Sequence, residues 1–358
     1  MSIDAAAAVS EAPTKSVWRS DLRRVRIVRY AVGVTTASAA AFAIQWPLFF
    51  LTPVFAAVFL SLPLPSPTIR QSLDLVGHIL IAFLLGLVFT LFLMPYTLAY
   101  VLVLGLVLFH IYYLVNRGGS IMLALMSLIA VLILPMLALE HDALATSFTL
   151  YFVLSSALAV LTYLLAHRLF PDPVVAGSLP KGAGFQRGYS KPAAVSALKS
   201  TVAVLPIAVL FMVMGWSGQI LIMVFAAIFS LSPQASKEQA AGIKSLTSTL
   251  IGGIAAVVFY WLIVAVPEFH FFIALLFLTA LIFGSAIFSG GPVAQYLPSA
   301  FVAVLILIGG SMGDDVDFAG KLVMRIVLIG LATLYVVAAL AVLDRFLFRA
   351  REPSRASA

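Results

Sequence analysis

Two basic residues near the C-terminal end of the chain lie within a long apolar run. Lys321 and Arg325 are four residues apart, and in a helix this spacing puts both side chains on one face. A guanidinium group can hold a carboxylate through two parallel hydrogen bonds, so the pair predicts an anion-binding site. The alternative is that both side chains extend to the helix end or pair with nearby carboxylates: Asp314, Asp315 and Asp317.

A second polar group stands at the start of the third apolar run. Arg70, Asp74 and His78 follow each other at intervals of four residues, so they share one helical face. A carboxylate and an imidazole that titrate when partly buried can pass protons between them. This spacing predicts a proton relay of Asp74 and His78. The plainer alternative is a surface ion pair of Arg70 with Asp74, and a hydrogen bond from His78 to a neighbouring helix.

Two glycine pairs interrupt the chain between long apolar runs. Gly118-Gly119 and Gly290-Gly291 are 172 positions apart. Paired interruptions at corresponding places in a repeated transporter are a strong sequence pointer to its binding site. Ordinary turns explain them equally well. The polar residues beside the two breaks form the second predicted set of substrate-binding residues: Asn116, Arg117, Gln295 and Tyr296.

The motifs of familiar catalytic and cofactor sites are missing from the sequence. The chain has no cysteine, so disulfides and thiolate metal sites are impossible, and its five histidines lack metal-ligand spacing. It also lacks a phosphate-binding Walker loop, the Gly-x-Ser-x-Gly elbow and the His-Glu-x-x-His zinc motif. We therefore expect neither enzymatic activity nor a cofactor or metal ion.

The composition excludes most classes of soluble protein. Hydrophobic residues make up 63% of the 358 residues, and charged residues 10%, with a mean hydropathy of +1.14. Soluble domains carry roughly 45–50% apolar and about 25% charged residues. The apolar runs are long and do not alternate as barrel strands do, which favours helices. The sequence therefore predicts an all-α polytopic membrane protein.

The apolar runs divide into about twelve transmembrane helices, or eleven if one segment re-enters the membrane. A span needs about 20 mainly apolar residues. The predicted spans are 27–44, 46–63, 73–93, 97–114, 120–138, 146–169, 196–214, 217–232, 241–265, 269–288, 294–310 and 318–344.

The charges predict an orientation in the membrane. Basic residues cluster in loops on the cytoplasmic side of membrane proteins, and a cytoplasmic N-terminus puts nearly all lysines and arginines there. This arrangement predicts a bacterial inner-membrane protein with both termini in the cytoplasm. The run of arginines before the first span is then a membrane anchor and not a nucleic-acid-binding arm. Its members are Arg19, Arg23, Arg24, Arg26 and Arg29.

The two halves of the chain resemble each other at a fixed offset. Arg29 and Trp46 are 17 residues apart, as are Lys199 and Trp216, and the two pairs are separated by 170 positions. Six spans per half give both halves one orientation, so we predict two parallel six-helix repeats. The predicted domains are a disordered cytoplasmic tail, the first repeat, a cytoplasmic linker, the second repeat and a cytoplasmic tail: 1–18, 19–170, 171–195, 196–349 and 350–358.

These features together resemble a known superfamily. A basic residue opens the first span, a tryptophan and a Pro/Ser turn follow, and a polar break at Asn116-Arg117 lies between spans four and five. Over about residues 19–349 they resemble the fusaric-acid-resistance and aromatic-acid-exporter superfamily. The chain lacks the large cytoplasmic domains of typical exporters, so it is similar to a compact branch associated with a periplasmic adaptor protein.

The resemblance implies a transporter, and three hypotheses remain. The first is proton-driven export of organic, above all aromatic, carboxylates. Its expected partners are the small anion, the bilayer, a periplasmic adaptor protein and further copies of the chain in a homo-oligomer, with no nucleic acid. The second is a passive organic-anion channel, since plant malate-type channels are similar to one six-helix unit. The third is a membrane scaffold or lipid enzyme. Dependence of flux on a proton gradient separates the first two.

Overall fold

Every regular element in the part of the chain that the structure describes is an α helix. The structure is a computed structural model, and it describes residues 15–45, 47–62, 67–172, 188–215, 226–227, 230, 235–309 and 318–346. Within these ranges the helices are α1 Lys15–Ile44, α2 Leu51–Ser61, α3 Ile69–Leu93, α4 Thr97–Asn116, α5 Ile121–Glu140, α6 Asp142–Leu169, α7 Lys191–Met214, α8 Ala235–Ala265, α9 Phe269–Ile287, α10 Leu297–Gly309 and α11 Phe318–Phe346.

Nine helices of the described residues are long and apolar enough to cross a membrane. They are α1, α3 to α9 and α11, and they confirm the predicted class of all-α polytopic membrane protein. The helices α2 and α10 have 11 and 13 residues. At 1.5 Å per residue they reach roughly 16 and 20 Å, short of the hydrocarbon core of about 30 Å.

The two short helices correct the predicted spans 46–63 and 294–310. Before α2 the chain makes a turn in which the Leu51 amide donates to the Leu48 carbonyl at 3.0 Å. Before α10 a similar turn brings the Ala294 amide to the Gly291 carbonyl at 3.1 Å. Apolar composition continues through both turns, so hydropathy alone placed the helix starts too early. Of the predicted span 217–232, all but residues 226, 227 and 230 lies outside the described residues.

Polar caps explain why several helices begin before their apolar runs. At α3 the Thr68 hydroxyl accepts from the Gln71 amide at 3.2 Å, and the Gln71 side chain accepts from the Thr68 amide at 3.0 Å. At α7 the Ser190 hydroxyl accepts from the Ala193 amide at 3.5 Å. Each cap satisfies an amide that the first turn of a helix leaves unpaired. The helices therefore extend beyond the hydrophobic segments that hydropathy detects.

One end of the bundle, which we call the N-terminal face, collects the start of α1 and the ends of several later helices. Arg29 of α1 donates from Nη1 to the Phe170 carbonyl beyond α6, at 3.1 Å. The Ser190 amide, before α7, donates to the Tyr113 hydroxyl near the end of α4, at 3.1 Å. The short connections 94–96, 117–120 and 141 make successive helices antiparallel. The ends of α4 and α6 and the starts of α5 and α7 therefore share this face.

The helix contacts recur in the two halves of the chain. The helix α3 packs on α5 and α6, and α8 packs on α10 and α11. Between the halves, α4 packs on α7 and α9 packs on α1. Within each half, two consecutive helices hardly touch: α3 and α4 in the first, α8 and α9 in the second. This recurrence is what a duplication predicts. The superposition of two six-helix units stays a prediction, because most of residues 216–234 lies outside the described ranges.

Candidate functional site

A groove of about 780 Å³ lies between α3, α4 and α5. It forms because α3 and α4 diverge while both pack on α5 behind them. Its walls are mostly apolar, as the residue types of three membrane-spanning helices require. The apolar lining residues are Ile81, Ala82, Leu85, Gly86, Phe89, Leu106, Val107, Ile111, Leu114, Leu123, Ala124 and Val131.

The polar side chains of the groove form a stripe along α4. His110, Tyr113 and Arg117 line the groove at spacings of three and four residues, which puts them on one helical face. Ser127 of α5 also lines it. At 1.5 Å per residue the stripe extends roughly 10 Å. It ends at Arg117, on the N-terminal face, so the charged end of the groove lies at a helix end.

Arg117 lies half-buried at the C-terminal cap of α4. Its amide donates to the carbonyls of Tyr113 and Leu114 at 3.2 and 3.3 Å, which fixes the backbone at the helix end. The guanidinium carbon lies 5.2 Å from the centre of the Tyr113 ring. A cation over an aromatic face is attracted by the ring. The arginine is therefore oriented by its own helix while it faces the groove.

Tyr113 connects the groove to the start of α7. Its hydroxyl accepts from the Ser190 amide at 3.1 Å, and its ring stacks on Phe109, with ring centres 5.9 Å apart. Because Ser190 also caps α7, one side chain contacts both the groove and the segment that leads into the second half. Tyr113 is therefore held from two sides beneath the guanidinium group.

His110 has a defined tautomer when it is neutral. Its Nδ1 lies 2.8 Å from the Leu106 carbonyl oxygen. A carbonyl oxygen can only accept, so Nδ1 carries the hydrogen and donates it. In the neutral ring Nε2 is then the acceptor. The groove thus combines a titratable ring, a phenol and a permanent cation.

Of the four residues predicted beside the glycine breaks, one lines the groove. Arg117 does so, while the neighbouring Asn116 side chain donates to the Tyr112 carbonyl at 2.8 Å. Gln295 and Tyr296 lie in the turn before α10, with Gln295 exposed and Tyr296 partly buried, and neither lines the groove. The structure therefore brings Asn116 and Arg117 together and leaves the other pair elsewhere.

Of the remaining predicted residues, Asp74 and His78 do not line the groove. Asp74 and His78 are both exposed on α3, and Nδ1 of His78 donates to the main-chain carbonyl of Asp74. The ring is thus held by the backbone and not by the carboxylate. The predicted pair of Lys321 and Arg325 falls within α11, but its side chains are outside the described residues.

One predicted membrane anchor, Arg29, is a buried structural residue. Its side chain is 4% exposed and donates from Nη1 to Oδ1 of Asp172 at 2.9 Å. Arg26 lies 4.0 Å from the same carboxylate oxygen. Asp172 is 143 positions away in the sequence, so no local pattern indicates the pair. Arg29 therefore ties the end of α6 to α1 and contributes nothing to the groove.

Sequence reasoning missed His110, Tyr113 and Ser127 as groove residues. The available signal was the spacing of His110, Tyr113 and Arg117 on one face of α4. On a helix that is apolar all round, that face can point to lipid, to core or to a cavity, and spacing does not distinguish them. Among the described residues no group of three or more His, Cys, Asp or Glu side chains is placed to hold a metal ion.

The chain is similar to one family over its first six helices. Residues 26–166 match the family described as "Protein of unknown function (DUF2955)", a membrane-protein family. The matched segment contains the whole groove, from Ile81 to Val131. No curated protein and no solved structure matches the chain. The N-terminal part of this membrane protein, groove included, thus resembles a family whose function is unknown.

Proposed function

We propose that the protein is a secondary transporter that exports organic, above all aromatic, carboxylates across the bacterial inner membrane. The observation that carries the proposal is the apolar groove of about 780 Å³ with an arginine at its end. Pockets of roughly 300–1,000 Å³ take a drug-sized ligand. A small organic anion with an apolar body fits both the size and the lining.

Arg117 supplies the recognition of the anionic group. Its planar fork can hold a carboxylate with two hydrogen bonds, a geometry that lysine does not reproduce. Charge pairing is stronger next to apolar walls than in bulk water, because the surrounding dielectric constant is lower. The Tyr113 ring beneath the guanidinium group limits the directions in which the fork points. The site therefore favours planar carboxylates.

His110 is the groove residue that can couple transport to protons. An imidazole changes charge between about pH 5 and 8, and His110 lies about two helical turns from Arg117 on the same face. A protonated ring adds a second positive charge near the bound anion, and loss of that proton weakens the attraction. Asp74 and His78, which precede the groove on α3, remain the alternative relay.

The proposed orientation puts the N-terminal face in the cytoplasm. The basic residues of that face, among them Arg23, Arg29 and Arg117, support it through the positive-inside rule. Because the chain has no cysteine, single cysteines report the side directly. Arg70→Cys, at the start of α3, should resist an impermeant maleimide in intact cells, and Glu140→Cys, at the end of α5, should react. The reverse pattern would overturn the orientation.

A passive anion channel is the second candidate. The observation that favours it is that the lining residues that the structure describes include a cation and no carboxylate. A channel for anions needs a basic lining but no proton-carrying carboxylate. In that case a pH gradient would leave flux unchanged apart from the direct effect of pH on His110.

The test uses the purified full chain in proteoliposomes and radiolabelled benzoate. With an imposed pH gradient, wild-type flux should exceed flux without it, and Arg117→Ala should remove most of the flux. Arg70→Ala is the matched control, because Arg70 is an exposed arginine near the same face that does not line the groove. Flux that survives Arg117→Ala but is lost in Arg325→Ala would move the anion site to the predicted Lys321–Arg325 pair.

A further inference from the structure

The groove opens sideways, between α3 and α4. Leu85 of α3 and Leu106 of α4 both line it and are 65% and 56% exposed on the outside of the bundle. Exposed leucines on membrane-spanning helices face lipid tails. The two leucines therefore form the rims of a mouth that faces the hydrocarbon region.

The groove is closed at one end and at its back. Phe89 of α3 and Tyr100 of α4 contact each other with ring centres 4.9 Å apart, near the turn that joins the two helices. Behind the groove, α3 and α5 pack so closely that a Cβ atom on Gly86 would lie 2.8 Å from Cβ of Ala130. The space is thus a wedge that is closed at the Phe89–Tyr100 end, open to lipid along one side, and charged at the N-terminal face.

We infer that the substrate is an amphiphilic carboxylate with one negative head group, and that it enters laterally from the membrane leaflet at the N-terminal face. This inference rests on the proposed function and names the substrate class of the same groove. The carboxylate binds Arg117 and the apolar body lies along the walls formed by α3 and α4. The chain thereby takes its substrate from the bilayer and not from water.

The position of Arg117 is what makes lateral entry physically acceptable. The residue caps α4, so it lies near the end of the span, where long charged side chains and head groups meet water. A bound carboxylate keeps its charge at that level while its tail moves sideways into the groove. Entry therefore does not require the charge to enter the hydrocarbon core, where an ion is expensive.

The size and charge of the groove favour a single-chain amphiphile over a phospholipid. A volume of about 780 Å³ corresponds to one drug-sized molecule. Within the lining, Arg117 is the permanent cation, which matches one carboxylate. A two-chain phospholipid with a phosphate head group becomes an alternative outcome of the experiment.

The test measures fluorescence quenching inside the groove. The four native tryptophans are replaced by phenylalanine, and one tryptophan is introduced at Leu106, which lines the groove. Leu102, one turn earlier on α4, is exposed but does not line it, so Leu102→Trp is the matched control. A second reporter pair on α3, Leu85→Trp and Leu84→Trp, covers the case in which the first reporter fails to fold.

The quencher is dibrominated stearate, added at mildly alkaline pH to the full chain in phosphatidylcholine vesicles. We expect saturable quenching at Leu106→Trp and only a weak linear decrease at Leu102→Trp. Saturation should disappear with the methyl ester of the quencher and with the added change Arg117→Gln, and it should persist with Arg70→Gln. Equal quenching at both positions, or saturation that survives Arg117→Gln, would overturn the inference.

Two further arms separate this inference from the proposed function. Saturable quenching by brominated phosphatidylglycerol, but not by dibrominated stearate, would show that a lipid occupies the groove and would overturn the inference. Arg117-dependent transport of benzoate without saturable quenching would also overturn it while leaving the function in place. Saturable quenching that depends on Arg117, in a protein that shows no flux, would support the amphiphilic carboxylate as the occupant of the groove. It would overturn the proposed transport function.

Discussion

Two pairs of consecutive helices, which we call the two gaps, are packed alike and differ in their side chains. In each half of the chain two consecutive helices hardly touch, α3 with α4 and α8 with α9. Both gaps are closed near the connecting turn by an aromatic pair. Phe89 and Tyr100 close the first with ring centres 4.9 Å apart, and Phe259 and Phe272 close the second at 5.8 Å.

The gaps differ at the ends that lie away from the connecting turns. The first carries a cation, a phenol and an imidazole on α4, namely Arg117, Tyr113 and His110. With the offset of 172 between the glycine breaks, the matching residues of α9 and the turn after it are Ile282, Ser285 and Ser289. These residues have no charge, and the Ser285 carbonyl accepts from Arg23 of α1 at 2.9 Å.

The recurring helix arrangement is therefore not sufficient to make a binding site. The backbone arrangement recurs, whereas the side chains that recognise an anion occur in the first gap alone among these matched positions. We therefore expect one anion site per chain, located in the first gap.

Replacing Arg117 should have the largest effect. Hydrogen bonds to charged groups contribute about 1.5–3 kcal/mol, so Arg117→Ala should lower benzoate flux roughly 10- to 100-fold. Arg117→Lys should recover part of it, because it restores charge but not the planar fork. Ser289→Ala, at the matching position of the second gap, should leave flux unchanged. Equal losses at both positions would show that the gaps are equivalent.

Arg29 tests whether a buried arginine outside both gaps is structural. Removing one partner of a buried ion pair costs about 3 kcal/mol or more, so Arg29→Ala should lower the thermal unfolding temperature in detergent by several degrees. Arg26→Ala should change it little, because Arg26 lies farther from Asp172, at 4.0 Å. Flux per folded molecule should stay at the wild-type level. A specific loss of flux without loss of stability would contradict the structural role.

His110 should set the pH dependence of substrate binding. A protonated imidazole ring attracts an anion more strongly than a neutral ring does. The KM for benzoate should therefore rise about threefold or more with pH, an estimate for one added charge at partly screened distance.

Controls on two other helices separate the competing relays. His110→Gln should flatten this pH dependence, and His270→Gln on α9 should not. A profile that flattens in His78→Gln alone would instead support the predicted relay of Asp74 and His78.

Ser127 should have the smallest effect. A neutral hydrogen bond contributes about 0.5–1.5 kcal/mol, and a hydroxyl on an otherwise apolar wall orients the ligand without holding it. Ser127→Ala should change the benzoate KM roughly two- to threefold. Ser285→Ala, in the second gap, should give the wild-type value. A tenfold rise of the benzoate KM in Ser127→Ala would mean that the carboxylate lies deeper in the groove than Arg117.

The sequence predicts the helices better than the site. Long apolar runs determine which segments cross a membrane, so most predicted spans agree with the helices within a few residues. The errors fall at α2 and α10, where apolar residues continue through a turn that only the backbone hydrogen bonds of Leu51 and Ala294 reveal.

The site depends on tertiary arrangement, which no local pattern contains. Arg117 was found because a glycine break follows it, whereas His110 and Tyr113 stand on a helix that is apolar all round. The divergence of α3 and α4 decides whether this face of α4 contacts lipid, the protein core or a cavity. In the same way, the partner of Arg29 is 143 positions away, beyond the reach of any spacing argument.

The number of anion sites per chain tests the central claim most directly. Equilibrium binding of radiolabelled naphthoate to the purified full chain should saturate at one molecule per chain. Arg117→Gln should raise the dissociation constant roughly 10-fold or more, and Ser289→Ala should leave both the constant and the stoichiometry unchanged. Two equivalent sites per chain, or one site with unchanged affinity in Arg117→Gln, would contradict the account.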